Sequence, residues 1–260
     1  MSEAETPEAG QTILEHLNEL RQRLVWAVAA LTVGTVIGFF FAPAVLEFLI
    51  APYNNRVQAI SPTEPVEIYF KLALVLGGVV AMPFILYQVW LFVAPGLQRG
   101  EKRFAFVFVS SAFALFLAGI AFAWFVLMPA ALSFLRDFMP TIFDANWTAR
   151  EYIGFTSTFL FWIGVSFEMP LVIYLFARAG LVSAATLREQ WRLAVVIIAV
   201  LAAAVTPSID PVTMLLAMAP LLVLYVLSIG LARLGQRQLD RKSTRLNSSH
   251  SARSRMPSSA

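Results

Sequence analysis

The chain has 260 residues, of which 59% are hydrophobic and 13% are charged, and its mean hydropathy is +0.74. Soluble domains carry about a quarter charged residues, so this composition excludes an ordinary water-soluble fold and predicts an integral membrane protein. With no cysteine and only two histidines, neither a disulfide nor a cysteine- or histidine-based metal site is expected.

Residues 1–23 are predicted to be a cytoplasmic segment that becomes amphipathic towards its end. Its beginning, MSEAETPEAGQTILEHL, is acidic and polar. A cleavable signal peptide has a basic start followed by an apolar stretch, and neither is present here. We therefore expect the first apolar run after this segment to be a membrane span.

Long apolar runs follow in chain order. A bilayer core of about 30 Å requires roughly 20 apolar residues in a helix. Such runs predict an all-α, polytopic membrane protein with a transmembrane domain over residues 24–232 and six transmembrane helices, at about 24–42, 72–94, 105–128, 153–177, 193–206 and 212–232. The fifth run is short, and we interpret it as one arm of a tight hairpin that turns at 206–211 into the sixth.

The distribution of basic residues predicts the orientation. If the N-terminus is cytoplasmic, all but four of the 19 Lys and Arg residues lie in cytoplasmic segments, and the four outside are Arg56, Lys71, Arg136 and Arg150. Because cytoplasmic loops of membrane proteins are enriched in Lys and Arg, both termini are predicted to be cytoplasmic.

Residues 233–260 are predicted to be a cytoplasmic tail. From Ser243 onward the tail is rich in serine and almost without apolar residues. Such a composition cannot bury enough surface to fold, so 243–260 is predicted to be disordered or non-native sequence. An ordinary native polar tail is the alternative.

No enzyme signature is present in the sequence. It contains no GxxxxGK[ST] phosphate loop, no HExxH and no GxSxG nucleophile elbow. We therefore do not expect an enzyme. If the protein moves a substrate, the energy must come from an ion gradient or from a partner.

One charged patch precedes the first span, and another follows the second span. In the segment HLNELRQRL, Leu17, Leu20 and Leu24 form one apolar stripe, which indicates an interfacial amphipathic helix or a charged collar that anchors the span. In the loop after the second span, Glu101 lies among cations. It is either a locally neutralised carboxylate or an acceptor for an incoming guanidinium, which carboxylates bind in a bidentate manner.

Two further patches lie within or beside spans. Glu168 falls inside the fourth span, where a carboxylate is costly unless it faces the protein interior or a polar cavity. Pro170 is expected to kink that helix, and Pro83 and Pro220 have the same potential in their own spans. Asp210, in TPSIDP, is expected to cap the sixth span, since aspartate is a favoured N-cap residue.

Taken together, these patches resemble the TatC family, the core component of the twin-arginine protein translocase. The matching segments are HLNELRQRL at 16–24, Ala51–Pro52, YQVWLFVAPGL at 87–97 with Glu101 and Arg103, GVSFEMP at 164–170, and TPSIDP at 206–211. The resemblance covers about residues 12–235. One departure is Val226, which follows Tyr225 where the family commonly has glutamate.

The resemblance implies a receptor for twin-arginine signal peptides that is also an assembly platform, in a translocase that exports folded proteins and runs on the proton-motive force. The implied signal-peptide site comprises Glu19 and Glu101, which would hold the arginine pair, with His16, Arg21, Arg23, Phe92 and Arg103 around them. Glu168 would be an intramembrane polar site, and Pro52 and Asp210 would belong to the outer face.

The resemblance also implies a location and partners. The location is the inner (cytoplasmic) membrane of the cell, where the protein is multi-pass and surrounded by membrane lipid. The partners are TatA/TatB-like single-span proteins and the signal peptides, and the chain is expected to be a homo-oligomer within a larger complex. No cofactor and no nucleic acid are expected. A proton-coupled small-solute transporter is the alternative, although its usual repeat symmetry is not evident.

Overall fold

The computed structural model describes residues 13–51, 57–93, 102–142, 147–206 and 210–253, and every regular element in these ranges is helical. The helices are α1 Ile13–Ile50, α2 Glu64–Val93, α3 Lys102–Phe122, α4 Met128–Arg136, α5 Ala149–Phe167, α6 Met169–Arg178, α7 Ala184–Glu189, α8 Trp191–Val205 and α9 Pro211–Arg253. A π-helical turn, Ala123–Leu127, joins α3 to α4.

Helices α1 and α2 pack backbone against backbone. A Cβ atom added to Gly34 would lie 2.4 Å from the carbonyl oxygen of Gly77, and one added to Gly38 would lie 2.2 Å from that of Ala73. Small residues of this kind allow helices in a membrane to approach closely. The later residue of α1, Gly38, meets the earlier residue of α2, Ala73, so the two helices are antiparallel. We call the end of the bundle where α1 begins and α2 ends the first end, and the opposite one the second end.

The third predicted span forms one long segment that contains a π-turn. The backbone N–H of Met128 bonds to the carbonyl of Ala123, five residues back, and Pro129 that follows has no N–H to donate. A π-turn at this point absorbs the missing bond, because proline cannot continue the regular i to i−4 pattern.

The fourth predicted span is broken into α5 and α6 at Glu168. Pro170 follows directly and cannot donate a backbone bond to the preceding turn, so the interruption lies where the sequence predicts a kink. Pro83 and Pro220 lie inside α2 and α9, which continue through them.

Within the described residues, five helical segments are long and apolar enough to cross a membrane: Leu17–Ile50, Glu64–Phe92, Ala105–Arg136, Ala149–Arg178 and Pro211–Gln236. The predicted fifth span corresponds to α8, whose 15 residues extend about 22 Å, less than the bilayer core of about 30 Å. The all-helical membrane fold is thus confirmed, with one helix shorter than a full span.

Helix α9 extends well past the end predicted for the sixth span and runs to Arg253. Side chains along it are described as far as Gln236. The proposal that 243–260 is disordered or non-native stays a prediction.

The segment that leads into α2 and the segment that leads into α5 are bonded to each other at the second end. Gln58 and Thr148 form an isolated parallel β-bridge, in which the N–H of Ala149 donates to the carbonyl of Gln58 at 2.9 Å. The buried carboxylate of Glu64 accepts from the backbone N–H groups of Ile60 and Arg150, at 2.9 and 2.7 Å. This carboxylate therefore fixes the start of α5 against the start of α2.

Candidate functional site

At the first end, a guanidinium joins α1 and α2, the two helices that carry most of the predicted signal-peptide residues. The Nη2 of Arg23 lies 3.1 Å from the Oε1 of Glu19, one turn earlier on α1, and its Nη1 donates to the Oε1 of Gln88 on α2 at 3.4 Å. Residues four apart lie on the same helix face, which brings Glu19 and Arg23 together. The three side chains form a continuous polar network, which we call the first-end network.

The exposure of the first-end network differs from residue to residue. The side chains of Arg23 and Glu19 are 29% and 21% exposed, whereas Gln88 is buried. The Nε of Arg23 is buried and has no hydrogen-bond partner within the described residues. The network is therefore anchored by Gln88 inside the protein and accessible from outside at Glu19 and Arg23.

The remaining predicted residues at this end fall into two groups. Arg21 is exposed on α1, and Phe92 is half-buried on α2, one turn beyond Gln88. His16 and Arg103 lie in helices, but their side chains are outside the described residues, as is the whole of Glu101. The structure therefore brings together Glu19 and Arg23, and it does not test the second carboxylate of the predicted site.

The apolar stripe predicted before the first span is part of α1. Leu17, Leu20 and Leu24 are 55%, 44% and 62% exposed. Because they face away from the described part of the protein, they are available to an apolar environment, as an interfacial amphipathic segment requires.

Glu168 is buried between α5 and α6, with 4% of its surface exposed. Neither carboxylate oxygen forms a hydrogen bond of standard geometry with a described residue, and a backbone group of Phe116 on α3 approaches it. The prediction that this carboxylate faces the protein interior is confirmed. Its lack of a firm partner is unusual, since buried polar groups are nearly always hydrogen-bonded.

Asp210 caps helix α9, as the sequence predicts. Its Oδ1 accepts from the backbone N–H of Thr213 at 2.7 Å, and its Oδ2 contacts the hydroxyl of the same residue. Pro211 occupies the first helical position, where its missing N–H costs nothing. Asp210 thus has a structural role at the second end, while Pro52 lies outside the described residues.

Two polar residues of this structure were missed by sequence reasoning. Gln88 stands in the segment YQVWLFVAPGL, where a polar residue inside an apolar run was the available signal. Glu64 falls between the first two predicted spans, where nothing in the sequence distinguishes it from other loop carboxylates, although the structure places it at the start of α2. Each makes a contact far along the chain, Gln88 with Arg23 and Glu64 with Arg150.

Comparisons with known proteins agree with this arrangement. The family model described as Sec-independent protein translocase protein (TatC) matches residues 15–220. The chain is 36% identical over 236 residues to the Sec-independent protein translocase protein TatC of Koribacter versatilis, covering 86% of this chain and 85% of that one. It is also 36% identical over 234 residues to the TatC of Deinococcus radiodurans, covering 86% and 87%.

A solved structure has the same fold. The crystal structure described as twin arginine translocase receptor TatC superposes with a TM-score of 0.77 at 36% identity, covering 85% of this chain and 99% of that one. The sequence match, the helical architecture and the structural match therefore agree, and the chain belongs to the TatC family of Sec-independent protein translocase proteins.

Proposed function

We propose that this chain is the twin-arginine signal-peptide receptor and assembly platform of a translocase that exports folded proteins across the inner membrane, driven by the proton-motive force. The observation that carries the proposal is the position of Glu19, a partly exposed carboxylate already paired with a guanidinium at the first end. A solute transporter, the alternative drawn from the sequence, receives no support from the family match.

The proposed topology places the first end in the cytoplasm. It counts α8 as the short fifth of six spans, and it places both termini in the cytoplasm. Support comes from the basic residues, since Arg21 and Arg23 lie at the first end and only Arg56, Lys71, Arg136 and Arg150 lie in segments assigned to the outside. The first-end network then lies on the side of the membrane from which a signal peptide arrives.

The proposed recognition step is an exchange of guanidinium groups. Arg23 occupies Glu19 before the peptide binds, at 3.1 Å. A substrate arginine that takes its place forms the same charge-assisted hydrogen bond, and Arg23 keeps its second acceptor, Gln88. Glu101 supplies the second carboxylate by the family resemblance, with His16, Arg21, Phe92 and Arg103 around the pair. Arginine is favoured over lysine because the planar guanidinium binds a carboxylate with two parallel bonds.

The proposed assembly step uses Glu168. A buried carboxylate without a firm partner is costly, by several kcal/mol in apolar surroundings. A polar donor on a single-span TatA/TatB-like helix would satisfy it, which supports docking of such partners near the break between α5 and α6. The chain is proposed to be a homo-oligomer within that larger complex.

The test is the binding of synthetic signal peptides to the full chain in nanodiscs. An Arg-Arg peptide is expected to bind more tightly than its Lys-Lys version, and Glu19→Gln and Glu101→Gln are each expected to abolish that preference. Glu15→Gln is the matched control, because it removes an exposed carboxylate one turn before Glu19 on the same helix. Equal binding of both peptides to the unmodified protein would show only general attraction to cations and would refute the receptor assignment.

A further inference from the structure

Two adjoining cavities form an apolar groove near the second end. The first, about 290 Å³, lies between α1, α2, α3 and α5 and is lined by residues such as Phe48, Leu76, Leu117 and Leu160. The second, about 350 Å³, follows α4 as far as Arg136. Trp124 and Phe125 line both cavities, so the two adjoin at these side chains, and we call the pair the groove.

One polar group at the mouth of this groove is left available. The hydroxyl of Tyr152 donates to the carbonyl of Leu49 at 2.9 Å, and that of Ser133 donates to the carbonyl of Pro129 at 2.7 Å. Arg136 is exposed, and its guanidinium forms no hydrogen bond or ion pair within the described residues, Asp137 beside it included. The groove therefore ends at an uncompensated cation.

The other cations described at the second end are engaged. Lys71 donates to the carbonyl of Gly154 at 3.2 Å, and Arg150 pairs with Glu67 at 2.9 Å. Arg136 is thus the described cation at this end that can receive an anion without losing a partner.

The chemistry of the lining indicates what the groove holds. The inner cavity is lined mainly by apolar side chains, and its one hydroxyl, that of Ser157, already donates to the carbonyl of Ile153. An extended hydrocarbon chain needs no polar partner and is narrow enough to lie between these side chains. The apolar lining matches such a chain, and the guanidinium at the mouth matches a phosphate, which arginine binds with paired hydrogen bonds.

We infer that the groove is a binding site for a membrane phospholipid, with one acyl chain between α1, α2, α3 and α5 and the headgroup phosphate on Arg136. The site is separate from the first-end network and does not depend on signal-peptide recognition. It requires only that the helices cross a bilayer. Under the proposed topology the lipid belongs to the outer leaflet.

The test measures lipid held by the purified full chain. The protein is reconstituted with phosphatidylglycerol and then stripped with detergent, and native mass spectrometry counts the lipid retained. Arg136→Gln is expected to weaken retention about tenfold, the effect of losing one charge-assisted contact. Ala121→Trp, which fills the groove from an exposed lining position, is expected to abolish it. Arg150→Gln, which removes an outer cation that is already paired, is expected to leave retention unchanged.

A second readout places the lipid in the groove. Phosphatidylglycerol with brominated chains quenches the fluorescence of nearby tryptophan. Lipid held in the groove should keep quenching Trp124 after unlabelled lipid is added in excess. Trp124→Phe is expected to remove this persistent part of the quenching. Retention that is equal in the unmodified protein, Arg136→Gln and Ala121→Trp would mean ordinary surrounding lipid and would overturn the inference. Displacement of the bound lipid by an apolar helical peptide would overturn it too, because the occupant would then be a protein segment.

Discussion

The carboxylate of Glu64, at the start of α2, accepts a 2.7 Å hydrogen bond from the backbone N–H of Arg150, at the start of α5. The residues are 86 positions apart, and this bond, with those from Ile60 and Ser61, holds the two connections of the second end together. An anionic acceptor is suited to several N–H donors at once, because both of its oxygens accept and neither donates.

Replacing Glu64 by Gln is therefore expected to loosen the second end. The amide nitrogen cannot accept, so at least one of the backbone N–H groups loses its partner. The apparent unfolding temperature in detergent should fall by several degrees. Glu67→Gln, which removes an exposed ion pair with Arg150, is the control and should change it little, as exposed pairs contribute little. Equal effects of the two substitutions would contradict the structural role of Glu64.

The close approach of α1 and α2 gives a second prediction. Gly38→Ala places a methyl group 2.2 Å from the carbonyl oxygen of Ala73, and the helices must separate to admit it. Overpacking of this kind costs about 1–3 kcal/mol, seen as a lower unfolding temperature. Gly230→Ala is the control, because its Cβ would meet nothing within 4 Å. The glycine contact is not essential if both variants unfold at the temperature of the unmodified protein.

Arg23 gives a prediction about affinity. If a signal-peptide arginine must displace Arg23 from Glu19, Arg23→Gln should increase the affinity for an Arg-Arg peptide. The gain should be up to about fivefold, since a partly exposed pair contributes about 0–1 kcal/mol. Arg21→Gln removes the same charge from an exposed position and separates general repulsion from the specific exchange. The exchange step would be wrong if the two variants changed the affinity equally in a peptide titration.

Substitution of Glu168 is expected to impair assembly with partners without lowering the stability of the chain. Glu168→Gln removes a buried carboxylate that lacks a firm partner, so the unfolding temperature should stay the same or rise. Copurification of TatA/TatB-like partners and export of a folded substrate should both fall. Thr156→Val, which removes another buried polar group without a described partner, should leave copurification intact. Retained export and copurification in Glu168→Gln would refute the assembly role.

The apolar runs predicted where the helices lie, because only long apolar segments satisfy the bilayer. Their ends were less accurate: α1 begins at Ile13 and α2 at Glu64, since helices continue into polar sequence wherever other contacts support them. Asp210 was predicted as a cap and confirmed, because a cap depends on a residue three positions away. The contacts of Glu64 with Arg150 and of Gln88 with Arg23 were missed because these partners lie 86 and 65 residues away in the sequence.

The central claim is that Glu19 distinguishes paired arginines from paired lysines, and a double-mutant cycle tests it most directly. Arg-Arg and Lys-Lys peptides are titrated against the unmodified protein and Glu19→Gln, which gives four dissociation constants. Groups in direct contact show coupling of about 0.5–3 kcal/mol. The proposed recognition predicts a preference for Arg-Arg that largely disappears in the variant. A preference of the same size in both proteins would show that Glu19 does not contact the arginines and would contradict this account.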